Sequence, residues 1–132
     1  MITVHRLLLP LGLALLTACA QKPTSVTLQQ SQQSRCPMTL HGGQQLILTL
    51  PSNPTTGFRW VLRDAAPGVL QSLGPEVYSN PEDAGLVGSA GQSTWRFQAR
   101  QAGEGRLLLT YQRPWETGVA PAKTFDCAVR VK

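Results

Sequence analysis

The chain has 132 residues, 12 basic against 7 acidic for a formal charge of +5, and is 42% hydrophobic. That length supports one domain around a single core and excludes two. The positive charge is spread out, with no Lys/Arg run and no nucleic-acid-binding motif, which argues against nucleic acid as a partner and leaves a salt-screened attraction to an anionic surface open.

In chain order, the first element is a leader. Arg6 precedes an apolar run from Leu7 to Leu16, and Leu16-Thr17-Ala18-Cys19 follows. The pattern is that of a secretory signal over residues 1–18. The run is shorter than the roughly 20 residues of a membrane span. The ending resembles a bacterial lipobox, which implies acylation of Cys19, a lipid tether to the membrane, and a place in the bacterial cell envelope. Ala20 in place of Asp is the pattern compatible with onward sorting to the outer membrane, facing periplasm or exterior. A plain signal-peptidase site is the alternative. Residues 19–34 are rich in Gln, Ser and Thr and read as a tether that ends in a weak edge strand around Val26 and Leu28. The main domain is expected over residues 35–132.

Strand patterns fill that domain. Leu46, Leu48 and Leu50 share one face; Phe58, Trp60 and Leu62 alternate with Arg59, Val61 and Arg63; Trp95, Phe97 and Ala99 alternate with Arg96, Gln98 and Arg100. Leu107, Leu109 and Tyr111 continue the period, and Phe125, Cys127, Val129 and Val131 close it. The arginines fall on the polar half of these strands, as a solvated sheet face requires. His41-Gly42-Gly43-Gln44 and Ala102-Gly103-Glu104-Gly105 read as hairpin turns. Six to eight short strands without a sustained 3.6-residue period predict an all-β fold, an antiparallel β-sandwich.

If Cys19 carries lipid, Cys36 and Cys127 remain as a pair in an oxidising compartment. Each is in phase with the apolar face of its strand, so a disulfide is expected, the alternative being two unpaired buried thiols. Catalysis finds little support. His41 is the one histidine beyond the leader, and it sits in a turn. No metal-ligand spacing appears, no serine sits in a nucleophile elbow, and no cofactor is implied. No metal site and no catalytic residue are expected.

Three loops remain between the strands: Asn53-Pro54-Thr55-Thr56-Gly57-Phe58, Gly85-Leu86-Val87-Gly88-Ser89-Ala90-Gly91, and Arg113-Pro114-Trp115-Glu116-Thr117-Gly118. Pro54 fixes its own φ and holds Asn53 extended, while Gly57 permits a positive φ. In kind and order these loops resemble the three binding loops of the chagasin-type inhibitors of papain-like cysteine peptidases. The resemblance covers nearly all of residues 37–132. It implies an immunoglobulin-like sandwich whose loops gather at one end, and a reversible, tight-binding inhibitor that fills the active-site cleft without covalent chemistry. By the same resemblance Thr55 and Thr56 lie nearest the enzyme's catalytic pair, Gly88, Ser89, Ala90 and Gly91 belong to the middle binding loop, and Arg113, Pro114 and Trp115 belong to the third, which flanks the primed side. Phe58, in phase with Trp60, is expected to anchor the first loop to the core. The middle loop departs from the family's Gly-x-Gly-Gly pattern, with Ala90 where a glycine is usual. Trp115 is the residue expected to carry affinity, the alternative being a lid folded over its own sheet. A competing function is an envelope binding or adhesion module that uses the same loop end for another ligand. A monomer suffices for either.

Overall fold

A computed structural model describes residues 23–80 and 91–132, together with Gly12. The leader, Cys19, and Gly88, Ser89 and Ala90 lie outside the described residues. Nine strands follow in order: β1 (Ser25–Gln29), β2 (Met38–Leu40), β3 (Gln45–Ser52), β4 (Arg59–Ala65), β5 (Leu70–Ser72), β6 (Val77–Ser79), β7 (Gly91–Ala99), β8 (Gly103–Gln112) and β9 (Lys123–Val131). One sheet runs β1-β3-β7, with β5 and β6 both pairing along the far side of β7; the other runs β2-β9-β8-β4. The two layers make an immunoglobulin-like sandwich.

Alternation explains what lies between them. On β3, Leu46, Leu48 and Leu50 are fully buried, and from β7, β8 and β9 the core receives Trp95, Phe97, Leu107, Leu109, Phe125, Cys127 and Val129. Each such leucine contributes roughly 2 kcal/mol by leaving water. The charged side chains of the same strands alternate to the outer faces, as on β8 and β9, where Arg106 and Asp126 form an exposed ion pair.

Cys36 and Cys127 are joined by a disulfide with Cα atoms 5.2 Å apart. β2 pairs parallel to β9 with Met38 opposite Val129. The disulfide continues that register two residues upstream, so it lies within one sheet rather than between the two. This differs from the inter-sheet bridge of antibody domains.

Three expectations need correction. His41–Gln44 is not a hairpin: β2 belongs to one sheet and β3 to the other, so the turn crosses the sandwich. The same holds for Ala102–Gly105, since β7 and β8 lie in different sheets and Gly103 and Gly105 are themselves part of β8. Alternation tells which face of a strand is buried but not which sheet the next strand joins, and glycine turn chemistry serves both connections. The folded unit also begins upstream of residue 35. β1 pairs parallel to β3 and buries Leu28 completely, and a short 3-10 segment, Gln30–Arg35, leads to Cys36. The weak edge strand expected around Val26 and Leu28 is this β1, which lies at the edge of its sheet beside β3. The sheets are antiparallel elsewhere, with β1 and β2 as the parallel pairings.

Leu62 departs from its phase. The β4–β8 register shifts between Leu62 and Asp64, and Leu62 is left exposed on this edge strand although it is in phase with buried Trp60.

Candidate functional site

β3 carries the chain to one pole of the sandwich, where it crosses to β4 through residues 53–58. Pro54–Thr56 form a single 3-10 turn ended by Gly57 in the left-handed region, φ 83°. The turn is closed by local polar groups. Gly57 N donates to Pro54 O (3.0 Å), Thr56 Oγ1 donates to Asn53 O (2.7 Å), and the Asn53 side chain accepts from Thr55 N (3.3 Å) and from the Thr55 hydroxyl. Asn53 therefore caps the turn as such residues do at helix starts.

Beneath the loop stands a column of aromatic rings. Phe58 stacks on Tyr111 with centroids 5.1 Å apart, and Trp60 packs on the same tyrosine at 4.9 Å. Buried tyrosine and tryptophan need a partner for their polar ends. Here the partner is the loop: Tyr111 Oη accepts from Asn53 N (2.9 Å), and Trp60 Nε1 donates to Pro51 O (2.9 Å). The sequence pattern identifies Trp60 and Tyr111 as core residues but does not show that their polar tips hold the loop. The signal was available, since a core tyrosine one strand end away from an Asn-Pro turn must send its hydroxyl somewhere.

The third loop joins β8 to β9 at the same pole and is bracketed onto the first. Arg113 lies over the Phe58 ring, its Cζ 4.5 Å from the centroid. Its Nε donates to Thr56 O (3.1 Å), and a terminal nitrogen pairs with Glu116 (3.0 Å). Arg113 is thus an internal tie between loops. Pro114 is exposed. Trp115 is 67% exposed, yet its ring rests against Gly57, where an added Cβ would overlap it. The indole thus covers the neighbouring loop.

Of the middle loop, Gly91 is described. It is buried at the start of β7 and pairs with Ser52, the last residue of β3 before Asn53. Residues 53–58, Gly91 and 113–115 therefore occupy one pole. Thr55 and Thr56 are exposed at its tip, and Phe58 is half-buried against the core, as its phase with Trp60 predicts.

The geometry has no reactive centre among the described residues; it is a rigid, protruding rim. Residues 39–129 match the family described as Chagasin family peptidase inhibitor I42. The chain belongs to that family. Amoebiasin-1 of Entamoeba histolytica (strain ATCC 30459 / HM-1:IMSS / ABRM) is 32% identical over 95 residues, covering 72% of this chain and 89% of the relative. Chagasin of Trypanosoma cruzi is 32% identical over 83 residues, 59% of this chain and 73% of the relative. Among solved structures, the cysteine protease inhibitor EhICP2 from Entamoeba histolytica superposes with a TM-score of 0.67 at 21% identity, over 82% of this chain and 96% of that one. Membership makes the chain a peptidase inhibitor and not an enzyme, and its relatives support cysteine peptidases as the class it inhibits.

Proposed function

We propose that the protein is a reversible, tight-binding inhibitor of papain-like cysteine peptidases, and that the rim formed by residues 53–58, 88–91 and 113–115 occludes their active-site cleft. The observation that carries this reading is the exposed indole of Trp115 seated on Gly57, beside the threonine tip. A large aromatic left two-thirds in water at a loop tip is costly unless a partner covers it.

The loop's internal bonding accounts for resistance to cleavage. A peptidase must take an extended segment and polarise its scissile carbonyl. In the first loop the carbonyls of Asn53, Pro54, Thr56 and Phe58 already accept hydrogen bonds, from Thr56, from Gly57 and Arg59, from Arg113, and from Arg59 respectively. The backbone is curled into a 3-10 turn. To be drawn out as an extended substrate the loop would have to break these contacts and unstack Arg113 from Phe58, which favours docking as a plug over cleavage. Because these bonds tie the first and third loops together, little conformational entropy is lost in those two loops on docking.

The lipobox-like ending at Leu16-Thr17-Ala18-Cys19 supports a membrane tether through Cys19. Pro23 lies at the opposite pole from the loops, where its carbonyl accepts from the Gln44 side chain (2.6 Å). Cys19→Ser is expected to release the protein from the membrane fraction, and retention there would remove the anchor.

The deciding experiment titrates the acyl-free domain, residues 20–132, against papain. Stoichiometric and reversible inhibition, with the protein recovered uncleaved, is the expected result. An absence of inhibition at micromolar concentration overturns the proposal and favours an envelope binding module.

A further inference from the structure

The pole carries a second aromatic that none of the three loop motifs contains. Tyr78 lies on β6, opposite Ser93 of β7. It is 40% exposed. Its ring lies over Gly91, the residue at which that loop re-enters the sheet, so closely that a Cβ on Gly91 would overlap the ring and hydroxyl. Gly91 is not among the glycines with positive φ. Its lack of a side chain is therefore required by the approach of Tyr78 and not by backbone conformation.

This repeats the arrangement at the other side of the rim, where Trp115 rests on Gly57. In both cases a partly exposed ring from one segment covers a glycine at the edge of a neighbouring loop. Tyr78, Ser93 and Leu50 stand on adjacent strands, and Ser52 pairs with Gly91 immediately before Asn53. Two strand spacings separate β6 from β3, about 10 Å, and the tyrosine ring leans across part of that distance. An interface of ordinary size, with about 20–30 residues a side, that covers Asn53–Phe58 extends far enough to reach such a ring.

Resting on the inhibitory reading above, we propose that Tyr78 is a further affinity-determining contact of the rim: its ring, positioned by Gly91, packs against the peptidase on the side of the first loop away from Trp115. The contact is made by the ring face and edge, so the hydroxyl is dispensable.

The test measures papain inhibition and thermal midpoint for the wild-type domain, Tyr78→Ala, Tyr78→Phe and Trp115→Ala. Tyr78→Ala is expected to raise the inhibition constant about tenfold or more through faster dissociation, as aromatic interface truncations do, while Tyr78→Phe stays within about threefold and the midpoint of each holds. Tyr78→Ala inhibiting as wild type while Trp115→Ala is impaired overturns the Tyr78 assignment and leaves the inhibitory function standing. A loss in Tyr78→Ala matched by a lowered midpoint also overturns it, because the ring would then be serving the fold. Failure of the wild-type domain to inhibit is a different result, and it removes the underlying reading.

Discussion

The two poles of the sandwich are built on opposite plans. At the pole holding His41–Gln44 the chain is tied backbone to backbone. Gly43 N donates to Ala99 O (2.8 Å), Gly42 N to Lys132 O (3.1 Å), Lys132 N to Leu40 O (2.9 Å) and Gln45 N to Thr24 O (2.9 Å). The buried Gln44 side chain adds a bond to His41 N (2.7 Å). At the loop pole the backbone is held by side chains: a tyrosine hydroxyl, an indole N–H, an asparagine cap and a guanidinium. The first pole ties Thr24 to β3 and Lys132 to the end of β2. The second fixes a protruding shape while leaving Trp115 in solvent. Stability and recognition are thus separable in space, and variants should report on one or the other.

The largest effect belongs to the scaffold. Cys36→Ala with Cys127→Ala opens a cross-link spanning 91 residues, expected to cost about 4 to 5 kcal/mol of unfolding free energy in the loop-entropy account. Denaturant unfolding measures this. The inhibition constant of the fraction that remains folded should not change, because the disulfide touches neither loop; a selective loss of inhibition would break the separation.

Trp115→Ala is expected to do the reverse. Inhibition should weaken by about 2 kcal/mol or more, close to thirtyfold, with the thermal midpoint essentially unmoved, since the ring is 67% exposed and lies outside the buried core. An unchanged inhibition constant would remove Trp115 from the interface. Gly57→Ala tests the seat of that indole and affects both columns of the comparison modestly. A φ of 83° costs an alanine roughly 1–2 kcal/mol in stability, and the new Cβ displaces the ring. In the double variant with Trp115→Ala, the stability cost should persist while no further inhibition is lost, because the displaced ring is already gone.

The two poles also differed in how far they could be read from sequence. The core alternation from Leu46 to Leu50 and from Phe125 to Val131 follows directly from period-two burial, and the pairing of Cys36 with Cys127 follows from phase and count. Asn53-Pro54-x-x-Gly57 announces a fixed turn because each residue's constraint is local. What could not be read was long-range. Whether His41–Gln44 turns back on itself or crosses the sandwich depends on which sheet receives β3, and nothing in four residues encodes that. Arg113 looked like a residue offered to a partner, yet its guanidinium is shared among Phe58, Thr56 and Glu116, which are 55, 57 and 3 residues away in sequence. The covering of Gly91 by Tyr78 joins strands 13 residues apart through a close approach, which composition cannot signal. Chemistry carried by neighbours in sequence is legible; chemistry assembled across strands is not.

The smallest expected effect lies between the poles, on the outer face of the β8–β9 pair. Arg106 Nε donates to Asp126 Oδ1 at 2.7 Å, and this hydrogen bond holds the Asp126 carboxyl below its ordinary range while raising the Arg106 guanidinium. Because the folded-state value of Asp126 is the depressed one, the ion pair's contribution is complete above the unfolded aspartate range, near pH 4, and is lost as pH falls through the lower folded value. Thermal midpoints measured from pH 6 down to pH 2 should therefore show an acid-side decline that is slightly shallower in Asp126→Asn. Both side chains are exposed, 55% and 40%, so solvent and salt screen most of the attraction, and 1 M salt should bring wild type and variant together. Inhibition at neutral pH should be identical in the two proteins, since this face turns toward neither loop nor tether. A change in inhibition here would mean that the rim senses the sheet's outer surface, and the division of labour between the poles would then have to be redrawn.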